Sequence, residues 1–257
     1  MSERPVLEIR RDGAVAILVL RREEKLNAIS TAVERELGRA LETEEVRESG
    51  ALVIAGGGRA FSAGADVDEL SGLTPEQIVA YYRDTGEVYE RVAALPQPTF
   101  AAIHGYCLGG ALELTLAADF RVADESAVFG LPEVALGILP SSGGTQRLVR
   151  LVGPGRAKEL LLIRERFTAK EALTFGLLTE LVKEGEALAR ALELAAQVAD
   201  LPRLAVSVAK QAANVVPESS REAGILVERL AYAALAQTDD ARRAGQAWAE
   251  RRERRRE

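Results

Sequence analysis

The 257-residue sequence holds one cysteine, Cys107, and one histidine, His104. A lone thiol cannot close an internal disulfide, and one cysteine with one histidine is too little for a zinc centre of the usual ligands. Aromatic residues make up only 5% of the chain, so its core falls to Leu, Val, Ile and Ala. An excess of positive charge is missing as well. With 33 Lys and Arg against 39 Asp and Glu, the formal net charge is −6, which argues against a protein whose main task is holding phosphate backbones by counterion release. Nor is there a membrane-length apolar run. The richest stretch, residues 99–118, is interrupted by His104, two glycine clusters and Glu113, and so fails as a span. The opening Met1-Ser2-Glu3-Arg4-Pro5 shows no basic run leading into an apolar stretch. Together with the single cysteine, this makes the cytoplasm the expected location.

The remaining composition, 47% hydrophobic and 28% charged, is that of an ordinary folded protein. The length suits one main core with an appendage, since single cores stop growing at roughly 250–300 residues. Short apolar, β-branched runs predict strands at 15–20, 51–55 and 99–103, with further short ones at 121–123 and 127–129. Helical spacing predicts helices over 31–44 and 75–94, with Thr31 and Thr74 as N-caps. Strand, glycine loop and helix recur three times in the first half, a sign of a spiral of similar units. From about residue 168 the pattern turns helical, with helices predicted over 187–199, 204–216, 218–237 and 239–252, punctuated by Pro202 and Pro217. We therefore divide the chain into an α/β body, residues 1–183, and a helical end, residues 184–257. Apolar faces on the latter, at Leu226, Leu230, Ala233 and Ala234, can cover the body or a second subunit. The closing charge run, residues 251–257, reads as a solvated helix end or as a phosphate contact.

Gly56-Gly57-Gly58 and the Gly105–Gly110 segment match neither a dinucleotide fingerprint nor a phosphate-binding P-loop, so no nucleotide cofactor is implied. Ser62 and Ser141 lack a serine-elbow context, and His104 is the sole imidazole available as a base. What stands out is two glycine-rich loops, each following a predicted strand. They serve as tight turns, or they expose amides that can hold a developing oxyanion. Glu113 sits in the otherwise apolar Ala111-Leu112-Glu113-Leu114-Thr115-Leu116-Ala117-Ala118, and Glu133 follows Pro132. Each is a helix-start acid or a functional carboxyl kept out of water.

These residues resemble the crotonase, or enoyl-CoA hydratase, superfamily over nearly the whole chain. The resemblance lies in Lys25-Leu26-Asn27-Ala28, Ala60-Phe61-Ser62-Ala63-Gly64-Ala65-Asp66, His104 through Leu114, and Leu131-Pro132-Glu133 followed by Gly143-Gly144-Thr145-Gln146-Arg147-Leu148. It implies an α/β spiral of ββα turns with a C-terminal helical region that builds trimers or hexamers. It also implies an oxyanion hole from the amides of Ala65 and Gly110, catalytic carboxyls at Glu113 and Glu133, and substrate or coenzyme A contacts at Lys25, Ala63, Asp66 and Ser141. The implied substrate is an acyl-CoA thioester, with no separate cofactor and no metal, and the implied reaction is hydration of a 2,3-enoyl bond. Neighbouring readings are a crotonase-type isomerase or lyase, such as a methylglutaconyl-CoA hydratase, and an RNA-binding or structural protein, which the acidic balance disfavours. Ser141-Ser142 stands where glycine or alanine is commoner, and Trp248 through Arg252 lacks the proline of the family's closing motif.

Overall fold

Val15–Leu20 is apolar and buried at every position, and such a strand needs cover on both faces. In the computed structural model, which describes residues 5–254, this strand is β2 of a six-stranded sheet. The order is β1 (Leu7–Asp12), β2, β3 (Ala51–Gly56), β4 (Thr99–Ile103), β6 (Phe120–Asp124) and β9 (Glu180–Val182), parallel throughout except for β1 against β2. A smaller sheet joins β5 (Tyr106–Leu108), β7 (Val128–Gly130) and β8 (Phe167–Thr168). Isolated bridges Ile29↔Ala65 and Ser62↔Cys107 extend it. Each turn of the chain thus places one strand in the large sheet, one extended segment in the small one, and then a helix. This is the α/β spiral of ββα turns.

Alternation along the strands sorts side chains into two cores. Leu52 and Ile54 of β3 and Ala101 and Ile103 of β4 face the inner core with Leu18, Phe61, Leu112 and Phe129. Val53, Phe100 and Ala102 face outward, where Ala191 and Ala195 of the Ala187–Ala199 helix cover them. That helix belongs to the body, and the compact units divide between Ala199 and Asp200. The boundary read from sequence at residue 183 falls earlier because a helical pattern alone does not say which face of a sheet it covers. The second unit contains helices Arg203–Val215, Arg221–Leu235 and Asp239–Arg254, close to the expected ranges. The predicted tail residues 255–257 lie outside the described residues.

Two predicted helices are each divided. The first runs Thr31–Ala40 and resumes at Glu44–Arg47, because the Thr43 hydroxyl and amide both donate to the Ala40 carbonyl and tighten the turn. Its cap is Ser30, whose oxygen accepts from the Val33 amide at 3.3 Å, rather than Thr31. The second begins as expected at Thr74, which forms a reciprocal capping box with Gln77. It then widens to a π turn over Tyr82–Gly86, where Gly86 weakens a regular helix, and restarts at Val88–Ala93. Strand β1 escaped the sequence reading because Glu8, Arg10, Arg11 and Asp12 mask its alternation, as suits an edge strand. The Gly144–Leu162 helix was hidden by the kink at Gly153-Pro154.

Every residue of the Gly110–Ala117 helix is buried. Its C-terminal carbonyls meet the guanidinium of Arg121, which donates to Thr115 O at 3.0 Å, Ala118 O at 2.7 Å and Leu177 O at 2.6 Å. Burial lowers the Arg121 pKa to about 10, which leaves it charged at neutral pH. A cation there opposes the negative end of the helix and satisfies carbonyls that water cannot reach. We expect Arg121→Met to cost about 3 kcal/mol, since several buried acceptors lose their donors at once. An exposed control, Arg10→Met, should stay within about 0.5 kcal/mol. Denaturant midpoints of the two variants check this.

Candidate active site

Gly64 has φ +100°, and a Cβ built there would lie 2.6 Å from the Leu108 carbonyl oxygen. Glycine thus lets the loop after β3 press against the loop after β5. Within that contact a Cβ on Gly110 would stand 3.5 Å from the Ala65 nitrogen, so the two amides are neighbours. The Gly64 carbonyl accepts from Ile29 N at 2.8 Å, and Ile29 O accepts from Asp66 N at 2.9 Å. Because a trans peptide points its C=O and N–H in opposite directions, the Ala65 N–H is turned away from Ile29 and toward Gly110. Gly110 opens its helix, where first-turn amides have no intrahelical acceptor. Among the described residues neither the Ala65 nor the Gly110 amide donates to a protein acceptor. Two adjacent free amides, one at the positive end of a helix, can hold an oxyanion.

Glu113, one turn further along that helix, is 3% exposed. One carboxylate oxygen accepts from Ser142 N and Gly144 N, both at 2.8 Å. Burial raises its pKa, and the amides of Gly144, Ser142 and Ser141 oppose the rise. The cradle is built for this carboxylate, since a Cβ on Gly144 would fall 2.5 Å from Glu113 Cγ. Arg147 braces the loop by donating to Ser142 O at 2.9 Å and to Glu90 at 2.6 Å. On the other side the Ser141 hydroxyl is hydrogen-bonded to that of Tyr82.

Glu133 comes from the Pro132–Leu136 turn and is 8% exposed. Its Oε2 is buried without a hydrogen-bond partner among the described residues. Its Oε1 lies only 2.9 Å from where a Cβ on Gly109 would be, which places it against the turn that leads into Gly110. Burial pushes its pKa up to about 7, and the charge of Glu113 adds to the rise. The pair is therefore unequal. Glu113 has amide donors that favour its ionised form, whereas Glu133 is held near its proton-transfer point at neutral pH.

The structure brings Ala65, Gly110, Glu113, Glu133 and Ser141 together, and the other sequence-derived candidates make contacts of their own beside the Ala65 loop. The Ala63 amide donates to Leu26 O at 2.9 Å. Lys25, half exposed, stands 3.5 Å from the Asp68 carboxylate. Asp66 is 8% exposed and takes a hydrogen bond from Arg22 at 2.5 Å, which keeps its carboxyl below the ordinary range. Sequence reading missed Tyr82, Ser142, Gly144 and Arg147 as parts of the site. Gly143-Gly144 was the one visible signal, as bare backbone able to wrap a carboxylate.

A family profile described as enoyl-CoA hydratase/isomerase matches residues 10–256. The chain is 38% identical over 242 residues to a 2,3-dehydroadipyl-CoA hydratase of Escherichia coli, covering 93% of this chain and 92% of that one. It is 34% identical over 246 residues to a short-chain-enoyl-CoA hydratase of Clostridium acetobutylicum, covering 95% and 94%. Among solved structures, the enoyl-CoA hydratase of Bacillus anthracis superposes with a TM-score of 0.90 at 37% identity, covering 96% of each chain. By profile, sequence and fold alike, this chain belongs to the enoyl-CoA hydratase/isomerase family.

Proposed function

We propose that the protein adds water across the 2,3-double bond of an enoyl-CoA thioester to give a 3-hydroxyacyl-CoA. The observation that carries this reading is the pair of buried, differently poised carboxyls, Glu113 and Glu133, beside two free amides. With the thioester oxygen between the amides of Ala65 and Gly110, attack at C3 sends charge onto that oxygen as an enolate, which the amides stabilise. Glu113, ionised in its amide cradle, takes a proton from the attacking water. Glu133, protonated, gives its proton to C2 as the enolate collapses. Both carboxyls act on one face of the substrate, which makes the addition syn. The proton gained by Glu113 and the one lost by Glu133 balance through solvent before the next turnover. A double-bond shift needs no water and one carboxyl is enough for it, so the preserved pair favours hydration.

The test is loss of enoyl-thioester absorbance with crotonyl-CoA and longer or branched enoyl-CoAs. Glu113→Gln and Glu133→Gln should each lower kcat by about 10²- to 10⁴-fold. The double variant should be far less damaged than the product of the two losses, because both groups serve one transition state. Survival of kcat in Glu113→Gln, with only a lower Tm, would return Glu113 to the role of a helix-start acid.

The Glu133 pKa sets a pH dependence with a definite sign. Hydration kcat/KM should fall as pH rises through about 7, where Glu133 loses the proton it must give. The same shift acts on stability. The unfolded carboxyl titrates near 4.5 and the folded one near 7, so the native state binds the extra proton and stability declines as pH rises between those values. Glu133→Gln should therefore raise Tm at pH 8 relative to the wild type and leave it nearly unchanged at pH 4. A Tm difference independent of pH would refute the shift.

We further propose that copies of this chain assemble as a trimer or hexamer. The second unit, taken by itself, exposes Leu204, Leu226, Leu230, Tyr232 and Trp248 and buries only Gly224 among its described residues, a balance that calls for cover. Sedimentation at micromolar concentration should give three or six chains per particle, and a purely monomeric boundary would refute this.

A further inference from the structure

The Ala65 amide lies in an irregular loop, and its direction depends on what fixes that loop. Three ties run from residues 26–29 to residues 63–66: Ala63 N to Leu26 O, Ile29 N to Gly64 O, and Asp66 N to Ile29 O, at 2.8–2.9 Å. The partner segment is irregular too, since Leu26 and Asn27 have φ of +51° and +55°. It is held from within. The Asn27 side chain accepts from Arg22 N at 3.0 Å and donates to Gly57 O and Ala60 O, each at 2.8 Å. Arg22 then reaches across. One nitrogen of its guanidinium donates to Ala28 O at 3.2 Å and to the Asp66 carboxylate at 2.5 Å. It thereby touches both halves of the clamp, next to Ile29 on one side and next to Ala65 on the other. Both partners are largely withdrawn from solvent, with side-chain exposures of 19% and 8%, so the pair is screened far less than the surface ion pairs elsewhere on the chain.

Resting on the hydratase reading, we propose that Arg22 and Asp66 form a positioning pair that aims the Ala65 amide into the oxyanion hole, and that Asp66 does its work there rather than as a substrate contact. Neither side chain has to meet the reacting atoms. Asp66 follows Ala65 directly, so rotation of the Asp66 backbone is coupled to the plane of the peptide whose N–H must point at the thioester oxygen. Loss of the ion pair leaves the backbone ties in place, so the loop survives. What is lost is rigidity, and an oxyanion donor is useful only in proportion to how well it is preorganised.

The experiment uses the full chain and the variants Arg22→Met, Arg22→Lys and Asp66→Asn. Two quantities are read. One is kcat and KM with crotonyl-CoA. The other is the thioester C=O stretch of bound, unreactive butyryl-CoA by isotope-edited infrared difference, which falls in frequency when two amides grip the oxygen. In Arg22→Met we expect kcat to drop by about 10- to 10²-fold, less than the 10²–10³ typical of deleting a donor outright. KM and butyryl-CoA affinity should move by no more than about threefold, and the carbonyl downshift should shrink. Asp66→Asn should show the same pattern to a lesser degree. Arg22→Lys should recover part of both readouts, since an ammonium can pair with Asp66 without the planar fork. An Arg22→Met protein that is folded and keeps the full downshift overturns the proposal, whether or not its Tm has fallen, because a merely structural role leaves the carbonyl unmoved. Should Arg22→Met fail to fold, Asp66→Asn decides by the same criterion. A wild-type protein that downshifts the carbonyl but hydrates no enoyl-CoA refutes the hydratase reading and leaves the pair to be judged by infrared alone. A wild type with no downshift refutes the pair.

Discussion

A helix buried at every residue must find partners for the backbone groups its ends leave over, and the site is organised around that requirement in the Gly110–Ala117 segment. At the C-terminal end Arg121 supplies the donors. At the N-terminal end the Gly110 amide has no protein acceptor among the described residues, and it lies beside that of Ala65. In the middle of the helix the one charged side chain, Glu113, cannot reach bulk water, so the 142–144 backbone is brought to it. Reactive and structural features here answer the same constraint. These needs are met at the two ends and one flank of the helix, and on the proposed function the N-terminal end is the one that meets the substrate.

The two glutamates show how partners can separate two identical groups that are both buried. Both lose hydration, and both are raised by it. Glu113 is given the amides of Ser142 and Gly144 in exchange, whereas Glu133 has only its own backbone amide and its Oε2 lacks a protein partner among the described residues. A carboxyl so treated is held near neutrality in pKa, where it gives and regains a proton with little penalty either way. This arrangement stores instability at Glu133, and the surrounding core of fully buried Phe, Leu and Ile side chains is what bears it.

The burial of Glu113 was legible in the sequence because its neighbours are Ala and Leu, whereas the choice between a helix-start acid and a functional carboxyl was not. The strands 15–20 and 99–103 were legible because short apolar runs have few alternatives. The sequence did not reveal partners joined over long separations. Arg121 reaches Leu177 and Arg22 reaches Asp66, 56 and 44 residues away, and no periodicity marks either. Asp66 could be picked out by motif while its bond to Arg22 could not. The Ala187–Ala199 helix read correctly as a helix but was assigned to the wrong unit, since its small residues, Ala191 and Ala195, fit a sheet face as well as a helical bundle. Gly153-Pro154 hid a long helix because local breakers announce themselves more loudly than the segments they interrupt.

The spiral has one further consequence. Ser62 is in register with Cys107, and Cys107 with Phe129. Ala65, Gly110 and Pro132 each follow that register by three residues, at corresponding points of successive coils. The Ala65 and Gly110 amides thus come from corresponding positions in adjoining coils, and neighbouring strands of a sheet lie roughly 4.8 Å apart. On the proposed hydratase reading, one thioester oxygen lies within reach of both. In the third coil the equivalent residue is proline, which has no N–H to offer, and the residue after it is the acid Glu133. On the same proposed reading, the third coil thus offers a carboxyl where the first two offer amides. The placing of both donors then depends, on that reading, on the register of the coils, and side chains can drift around them so long as no coil slips.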